Sequence, residues 1–142
     1  MTIAAILGGK GHEVVSIDGD QTVSEAVALL ATRRIGAVTV MQGGAVAGIF
    51  SERDVIYGLE REGASALDRK VREVMTSPAL TVDPGESVLG ALALMTQRRV
   101  RHLPVLEGGR CVGIVSIGDL VKYRIERIES EAEAMRAYIQ AV

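Results

Sequence analysis

The chain carries one sequence pattern twice, and this duplication limits its possible folds more than any other feature. The heptapeptide GIFSERD occupies residues 48–54, and GIVSIGD occupies residues 113–119. Sliding the sequence against itself by 65 positions (113 − 48 = 65) also aligns Val23 with Val88 and superimposes two Gly-Gly pairs. Self-similarity at a fixed offset predicts two copies of one structural unit.

Each copy has the same predicted order of helix, strand, strand and helix, after a short extended piece. The first helix, in TVSEAVALLATRR, has apolar residues at helical spacing behind a capping box of Thr22 and Glu25. Two strand-like runs then flank a Gly-Gly turn in GAVTVMQGGAVAGIF and again in HLPVLEGGRCVGIV. A serine opens the next helix in each copy. The predicted fold class is therefore mixed α/β (α+β).

The two copies are expected to pack on each other. A unit of about 55 residues buries too little surface to be comfortably stable alone, so its twin is the natural partner. Packing through the small sheets with pseudo-twofold symmetry would leave two related clefts, each near a Gly-x-x-Ser turn. The predicted division is repeat 1 with a short N-terminal helical segment at 1–66, a linker at 67–76, repeat 2 at 77–125 and a helical extension at 126–142.

The last helix continues past the second copy with apolar residues at alternating gaps of three and four. These residues are Val121, Ile125, Ile128, Ala132, Met135 and Ile139. Such a heptad seam favours a homodimer in which two copies pair through this helix and the faces of the repeats. The alternative is an amphipathic helix that lies back on its own domain.

Composition limits the classes of function. Of the 142 residues, 48% are hydrophobic, and the formal net charge is −2. A chain with this charge has no general electrostatic attraction to a nucleic-acid backbone or to an anionic membrane. No run of about 18 apolar residues is present, and a cytoplasmic protein is expected. His12, His102 and Cys111 are not in a metal-ligand spacing, so no metal is predicted. The motif GGKGHE lacks the spacing of a phosphate-binding P-loop.

The repeated turn has two compatible interpretations. Ser51 with Asp54, and Ser116 with Asp119, match the pattern in which a serine and an acid cap the start of a helix. A helix start that follows a glycine is also a suitable place for a phosphate or a ribose, because free amides and the helix dipole point outward there. Spacing alone does not decide between them.

The combination of motifs resembles a known family. The tandem copies, the pattern Gly-apolar-x-Ser-x-x-Asp after the second strand, the phrase VRHLPV and the opening TVSEAV together look like a pair of cystathionine-β-synthase (CBS) domains, a Bateman module. The resemblance runs from about residue 14 to about residue 125. It implies a regulatory module without catalysis that binds adenosine-containing ligands such as AMP, ADP, ATP, S-adenosylmethionine or NAD between the repeats. The copy at the N-terminal end further resembles small stand-alone bacterial members.

The resemblance also implies a set of binding residues. Asp54 and Asp119 fall at the ribose contact, where one carboxylate can accept from both hydroxyls of a cis-diol. Ser51 and Ser116 fall beside the ribose or phosphate. The adenine pockets would be formed by small and apolar residues of the extended pieces and first hairpin strands: Val15, Ser16, Gly36 and Ala37 in one copy, and Leu80, Thr81, His102 and Pro104 in the other.

Cations near the turns favour a phosphorylated ligand, with AMP first and ADP, ATP or NAD(H) as alternatives. Arg53 lies inside the first turn, and Arg101 with His102 precedes Pro104. Arg53 could instead be a solvated helix residue, and His102 an interior imidazole. Gly118 stands where the first copy has Arg53, so the two clefts are expected to differ. A structural role at helix ends is predicted for Arg33, Arg34, Arg98 and Arg99. The alternative function is a ligand-free interaction scaffold whose turns are only caps.

Overall fold

The computed structural model describes residues 1–141 and confirms the mixed α+β architecture with a long C-terminal helix. The first repeat consists of α2 (Val23–Arg33), β2 (Ala37–Gln42), β3 (Ala45–Ser51) and α3 (Glu52–Glu62). The second has the same order in α5 (Val88–Arg98), β4 (His102–Glu107), β5 (Arg110–Ser116) and α6 (Ile117–Gln140). The remaining elements are α1 (Ile3–Lys10), β1 (Ser16–Asp18), a 3-10 helix (Gly63–Asp68) and α4 (Val71–Val74).

The hairpins explain the repeated Gly-Gly pairs. Gly43 and Gly44 have φ of 59° and 79°, and Gly108 and Gly109 have φ of 57° and 79°. A two-residue hairpin turn with left-handed backbone at both positions matches the twist of its strands, and glycine adopts it without steric cost. Each hairpin therefore closes with the same register and brings its serine to the end of the second strand.

Helix starts and ends are also the same in the two repeats. The Thr22 hydroxyl accepts from the Glu25 amide at 3.2 Å, and the Ser87 hydroxyl accepts from the Gly90 amide at 2.9 Å. The corresponding helices both end at an arginine in the left-handed region, Arg34 and Arg99, with φ of 53° and 54°. These ends place the residues that follow, 35–37 and 100–102, at the start of each hairpin.

Residues 1–141 form two hydrophobic cores, one for each repeat. Phe50, Val38 and Val40 are fully buried in the first, and Leu103, Met95 and Leu120 lie in the second. The first repeat has a third strand, β1, which pairs in parallel with β2. The second repeat has only an isolated parallel bridge between Val82 and Val105 at the matching place.

The segment that leads into each repeat packs on the other repeat. Helix α1 precedes repeat 1, but its buried face of Ile3, Ile6 and Leu7 belongs to the core of repeat 2. Conversely, Val71 of α4 lies in the predicted linker and is fully buried in the core of repeat 1. By its contacts α1 thus packs with repeat 2, whereas the division predicted from the sequence places it with repeat 1 in residues 1–66. The reason is that its apolar face completes the second core.

Candidate functional sites

The structure forms two clefts between the repeats, and each combines a helix-start turn of one repeat with the hairpin start of the other. The first cleft, of about 600 Å³, joins the turn at 51–53 to Arg101 and His102. The second, of about 450 Å³, joins Ser116 and Asp119 to residues 34–37. Each cleft therefore requires both copies of the sequence pattern.

Positive charge is concentrated in the first cleft. Its lining includes Arg53, Arg98 and Arg101, with Glu52 as the acid. The guanidinium of Arg53 donates to the Arg99 backbone carbonyl at 2.8 Å, which ties the turn of repeat 1 to repeat 2. Arg98 was predicted to have only a structural role, but its position at the end of α5 also makes it part of the wall.

Asp54 caps its helix in the first turn. One of its carboxylate oxygens, Oδ2, accepts from the Ser51 amide at 2.9 Å and from the Ser51 hydroxyl at 3.2 Å. The other, Oδ1, accepts from the Thr76 hydroxyl at 3.2 Å. Burial raises the pKa of Asp54 above its ordinary value, although these hydrogen bonds oppose the effect. Thr76 lines the cleft and Asp54 does not, so the carboxylate lies behind the wall.

Asp119 lies in the wall of the second cleft and has a stronger partner. Its Oδ2 accepts from the Ser116 amide at 2.8 Å and from the Lys10 ammonium at 2.6 Å. Burial alone would raise the pKa of Asp119, but the Lys10 hydrogen bond, the Ser116 amide and the positive charge of Lys10 lower it overall. The Asp119 amide in turn donates to the Ser116 hydroxyl at 3.1 Å. Both turns are therefore true helix caps, as the spacing predicts, and both stand at a cleft.

Gly36 and His102 line both clefts. A Cβ on Gly36 would lie 2.7 Å from Oε1 of Glu52 and 3.3 Å from Cε1 of His102, so a larger residue would require the Glu52 side chain to move and would crowd the imidazole. Burial lowers the pKa of His102, and the nearby Lys10 charge adds to the effect. At neutral pH the imidazole is thus uncharged and can offer hydrogen bonds rather than a cationic contact to either cleft.

The structure brings most predicted site residues to one cleft or the other. The first cleft contains Gly36, Ser51, Arg53, Leu80, Arg101 and His102. The second contains Val15, Gly36, Ala37, His102, Ser116 and Asp119. Four predicted residues do not line either cleft: Ser16, Asp54, Thr81 and Pro104. Ser16 is exposed on β1, and Pro104 is buried within β4 opposite Ile114.

Sequence reasoning missed several lining residues. Thr76 falls in the predicted linker, and Arg34 was assigned only a structural role. Lys10 belongs to GGKGHE, which does not have the spacing of a P-loop, yet its ammonium contacts the Asp119 carboxylate. A lone lysine after an apolar helix carries no signal in the sequence. Only the packing of α1 on repeat 2 brings it to the cleft.

Residues 1–141 contain no group of three or more His, Cys, Asp or Glu side chains arranged to hold a metal ion. Over the same range, no helix combines the length and the apolar character that a membrane crossing requires.

The fold and its two clefts define a module of two packed α+β repeats. The CBS domain family model matches residues 11–61 and 71–126. The CBS domain-containing protein CBSX3, mitochondrial, of Arabidopsis thaliana is 36% identical over 151 residues, covering 98% of this chain and 72% of the relative. The chain belongs to the CBS domain family, as a tandem pair, and the resemblance seen in the sequence is confirmed.

Solved structures agree with this assignment. The CBS-domain containing protein ATU1752 from Agrobacterium tumefaciens is 38% identical with a TM-score of 0.84, over 87% of this chain and 92% of that one. The CBS domain pair of protein MJ0100, solved in complex with 5'-methylthioadenosine and S-adenosyl-L-methionine, has a TM-score of 0.79 over 89% of this chain and 98% of that one. Because it is only 20% identical, that second likeness concerns the fold alone.

Proposed function

We propose that the protein is a non-catalytic regulatory module that binds an adenine nucleotide between its repeats, with AMP as the first candidate and ADP, ATP and NAD(H) as alternatives. The single observation that carries this proposal is the construction of the clefts. Each one places a serine-capped helix start against the hairpin of the opposite repeat, with cations in its wall. A ligand that fills such a cleft contacts both repeats and can shift their relative arrangement.

The second cleft offers the better sugar contact. Both protein partners of the Asp119 carboxylate use Oδ2, so among the contacts of residues 1–141 Oδ1 is left for a ligand. A ribose cis-diol has two donors that suit such an acceptor. In the first cleft the Thr76 hydroxyl occupies Oδ1 of Asp54, and a diol would have to replace it or bind to Thr76 itself.

The first cleft offers the better phosphate contact. Three arginines line it, and planar guanidinium groups bind phosphate through paired hydrogen bonds. The larger volume of the first cleft also leaves room for more than one phosphate. The two clefts thus favour different parts of one ligand class, and we expect them to have different affinities.

The ligand proposal is tested by isothermal titration of AMP, ATP, NADH and S-adenosylmethionine. We expect heat from at least one adenine nucleotide. Asp119→Glu, which retains an acid for the cap but displaces it, should weaken that binding about tenfold or more because a charge-assisted hydrogen bond to the sugar is lost. Its melting temperature should stay close to that of the original chain.

Asp54→Glu is the matched variant at the equivalent acid of the first repeat, which lies behind the wall of the first cleft. If all four compounds are silent, the nucleotide proposal fails and the scaffold alternative takes its place. If Asp119→Glu instead lowers stability as much as binding, the acid is a cap and not a sugar contact.

A homodimer is the proposed assembly. Exposed apolar side chains follow one stripe of α6, where Ile125, Ile128, Met135 and Ile139 are 49 to 64% exposed. Ile56 and Tyr57 of α3 are also more than half exposed. A continuous apolar stripe on a helix this long is suited to pairing with a second copy.

A further inference from the structure

Lys10 holds an unusual position among the residues of the second cleft. It is the last residue of α1, which lies outside both repeats of the sequence pattern. Its ammonium donates to Oδ2 of Asp119 and to the Ile114 carbonyl, each at 2.6 Å. Lys10 lines the second cleft and its side chain is 34% exposed, so it is not sealed in the core.

The second cleft has fewer cations than the first. Lys10 and Arg34 are its positive residues, whereas Glu13 and Asp119 are its acids. His102 does not add a charge at neutral pH because burial lowers its pKa. Without Lys10, a phosphate entering this cleft would meet an Asp119 carboxylate that is no longer paired, and the like charges would repel.

The Lys10 ammonium has a donor to spare, because its two hydrogen bonds use two of its three N–H groups. Lysine carries a compact charge on a flexible four-carbon stem with three rotatable donors. Gly11 follows at φ 105°, and an added Cβ at Gly8, Gly9 or Gly11 would meet nothing within 4 Å. Two donors can therefore stay on Asp119 and the Ile114 carbonyl while the third reaches an anion in the cleft.

We propose that Lys10 is the residue by which the second cleft distinguishes a phosphorylated nucleotide from the corresponding nucleoside. This inference rests on the proposed function, since it requires an adenosine compound in the cleft. Asp119 binds the sugar, and Lys10 both neutralises Asp119 and donates to the phosphate. A nucleoside has no phosphate and gains only the sugar contact with Asp119, so the cleft binds the phosphorylated form more tightly.

The test compares AMP with adenosine by isothermal titration, in a background of Arg53→Met, Arg98→Met and Arg101→Met that removes the three arginines lining the first cleft. Lys10→Met should weaken AMP about ten- to a hundredfold, the range of one hydrogen bond between charged groups. Adenosine affinity should change less than about threefold, well under one such bond. Lys10→Arg should retain the preference for AMP because it keeps the charge.

Lys122→Met is the matched control, because it removes one positive charge from an exposed site on α6 away from the clefts. Melting temperatures confirm that each variant is folded. If the background chain binds AMP and Lys10→Met keeps the same preference for AMP over adenosine, the role of Lys10 is overturned while the proposed function stands. If neither the unmodified chain nor the background chain binds AMP or adenosine, the role of Lys10 fails, and the proposed function fails with it only if ATP, NADH and S-adenosylmethionine also give no binding heat.

Discussion

Asp54 and Asp119 occupy equivalent positions, 65 residues apart, yet their surroundings give them opposite pKa shifts. Burial raises the pKa of Asp54, and its hydrogen-bond partners are neutral groups. Asp119 is also buried in part, but the Lys10 ammonium at 2.6 Å makes the charged form favourable. The same residue in the same turn therefore contributes differently to stability, because only one copy has a cation within hydrogen-bond reach.

This difference predicts a pH-dependent contrast between Asp119→Asn and Asp54→Asn. A lowered folded pKa contributes stability above the unfolded value of about 3.8, and this is lost as pH falls through the folded pKa. Asp119→Asn should thus reduce the free energy of unfolding at pH 7 by about 1 kcal/mol, with a smaller loss near pH 3. Urea unfolding at both pH values measures this.

A raised pKa has the opposite sign. The contribution of Asp54 is present below its unfolded pKa and is lost as pH rises through the folded pKa. Asp54→Asn should therefore cost less than Asp119→Asn at pH 7. Equal losses for the two variants at pH 7 would show that Lys10 does not set Asp119 apart.

At the scale of elements, α6 is the part of the structure with the least internal support. It begins at the cap of Ser116 and runs to Gln140, but Leu120 is its one buried residue. Its apolar stripe continues well past that point, at Ile125, Ile128 and beyond. Helices in proteins gain most of their stability from packing of their apolar face. The exposed stripe of α6 therefore lacks this contribution within a single chain and would gain it by pairing with a second copy.

We expect Ile125→Asp combined with Ile128→Asp to convert a dimer to a monomer. Charges placed in an apolar interface would lose their hydration without gaining a partner. Light scattering should then report a mass near 15.1 kDa rather than twice that value. Glu126→Ala with Glu129→Ala alters the same turns outside the stripe and should leave the dimer intact. An unmodified chain that is already monomeric at micromolar concentration would contradict the proposal.

The sequence predicts the elements well because local signals determine them. The Gly-Gly turns, the cap at Thr22 and the apolar periodicity are all found in the structure, and Ser87 caps the equivalent helix of the second repeat. The helix-end prediction for Arg34 and Arg99 is also met, with both in the left-handed region. Which cleft a side chain faces is not local information, and this is why Pro104 and Thr81 were placed in a pocket that they do not line.

The placement of α1 could not be predicted for a related reason. The Ile3 amide donates to the Glu86 carbonyl just as the Val71 amide donates to the Gln21 carbonyl. The acceptors are 65 residues apart (86 − 21 = 65), but the donors are 68 apart (71 − 3 = 68). A self-match at one fixed offset therefore does not align these two segments. An apolar helix, moreover, does not specify which of two similar cores it covers.

At the scale of the whole molecule, α1 is expected to stabilise repeat 2 and its cleft. Leu7 is 1% exposed, and its side chain approaches within 2.7 Å of where a Cβ on Gly113 would be. Leu7→Ala should lower the free energy of unfolding by about 2 to 5 kcal/mol through lost burial and a residual cavity. Leu89→Ala, at a position 54% exposed, is the control and should change little. If Leu7→Ala and Leu89→Ala lowered the free energy of unfolding by the same amount, α1 would not be part of the core.

The crossed placement of α1 and α4 has a consequence for how such a chain could arise. Each leading helix covers the neighbouring unit and not the one that follows it. A lone ancestral copy with its own leading segment would have left that segment's apolar face without a core, unless a second identical chain supplied one. The present molecule thus resembles a dimer whose two subunits exchange their leading helices and are joined covalently in one chain.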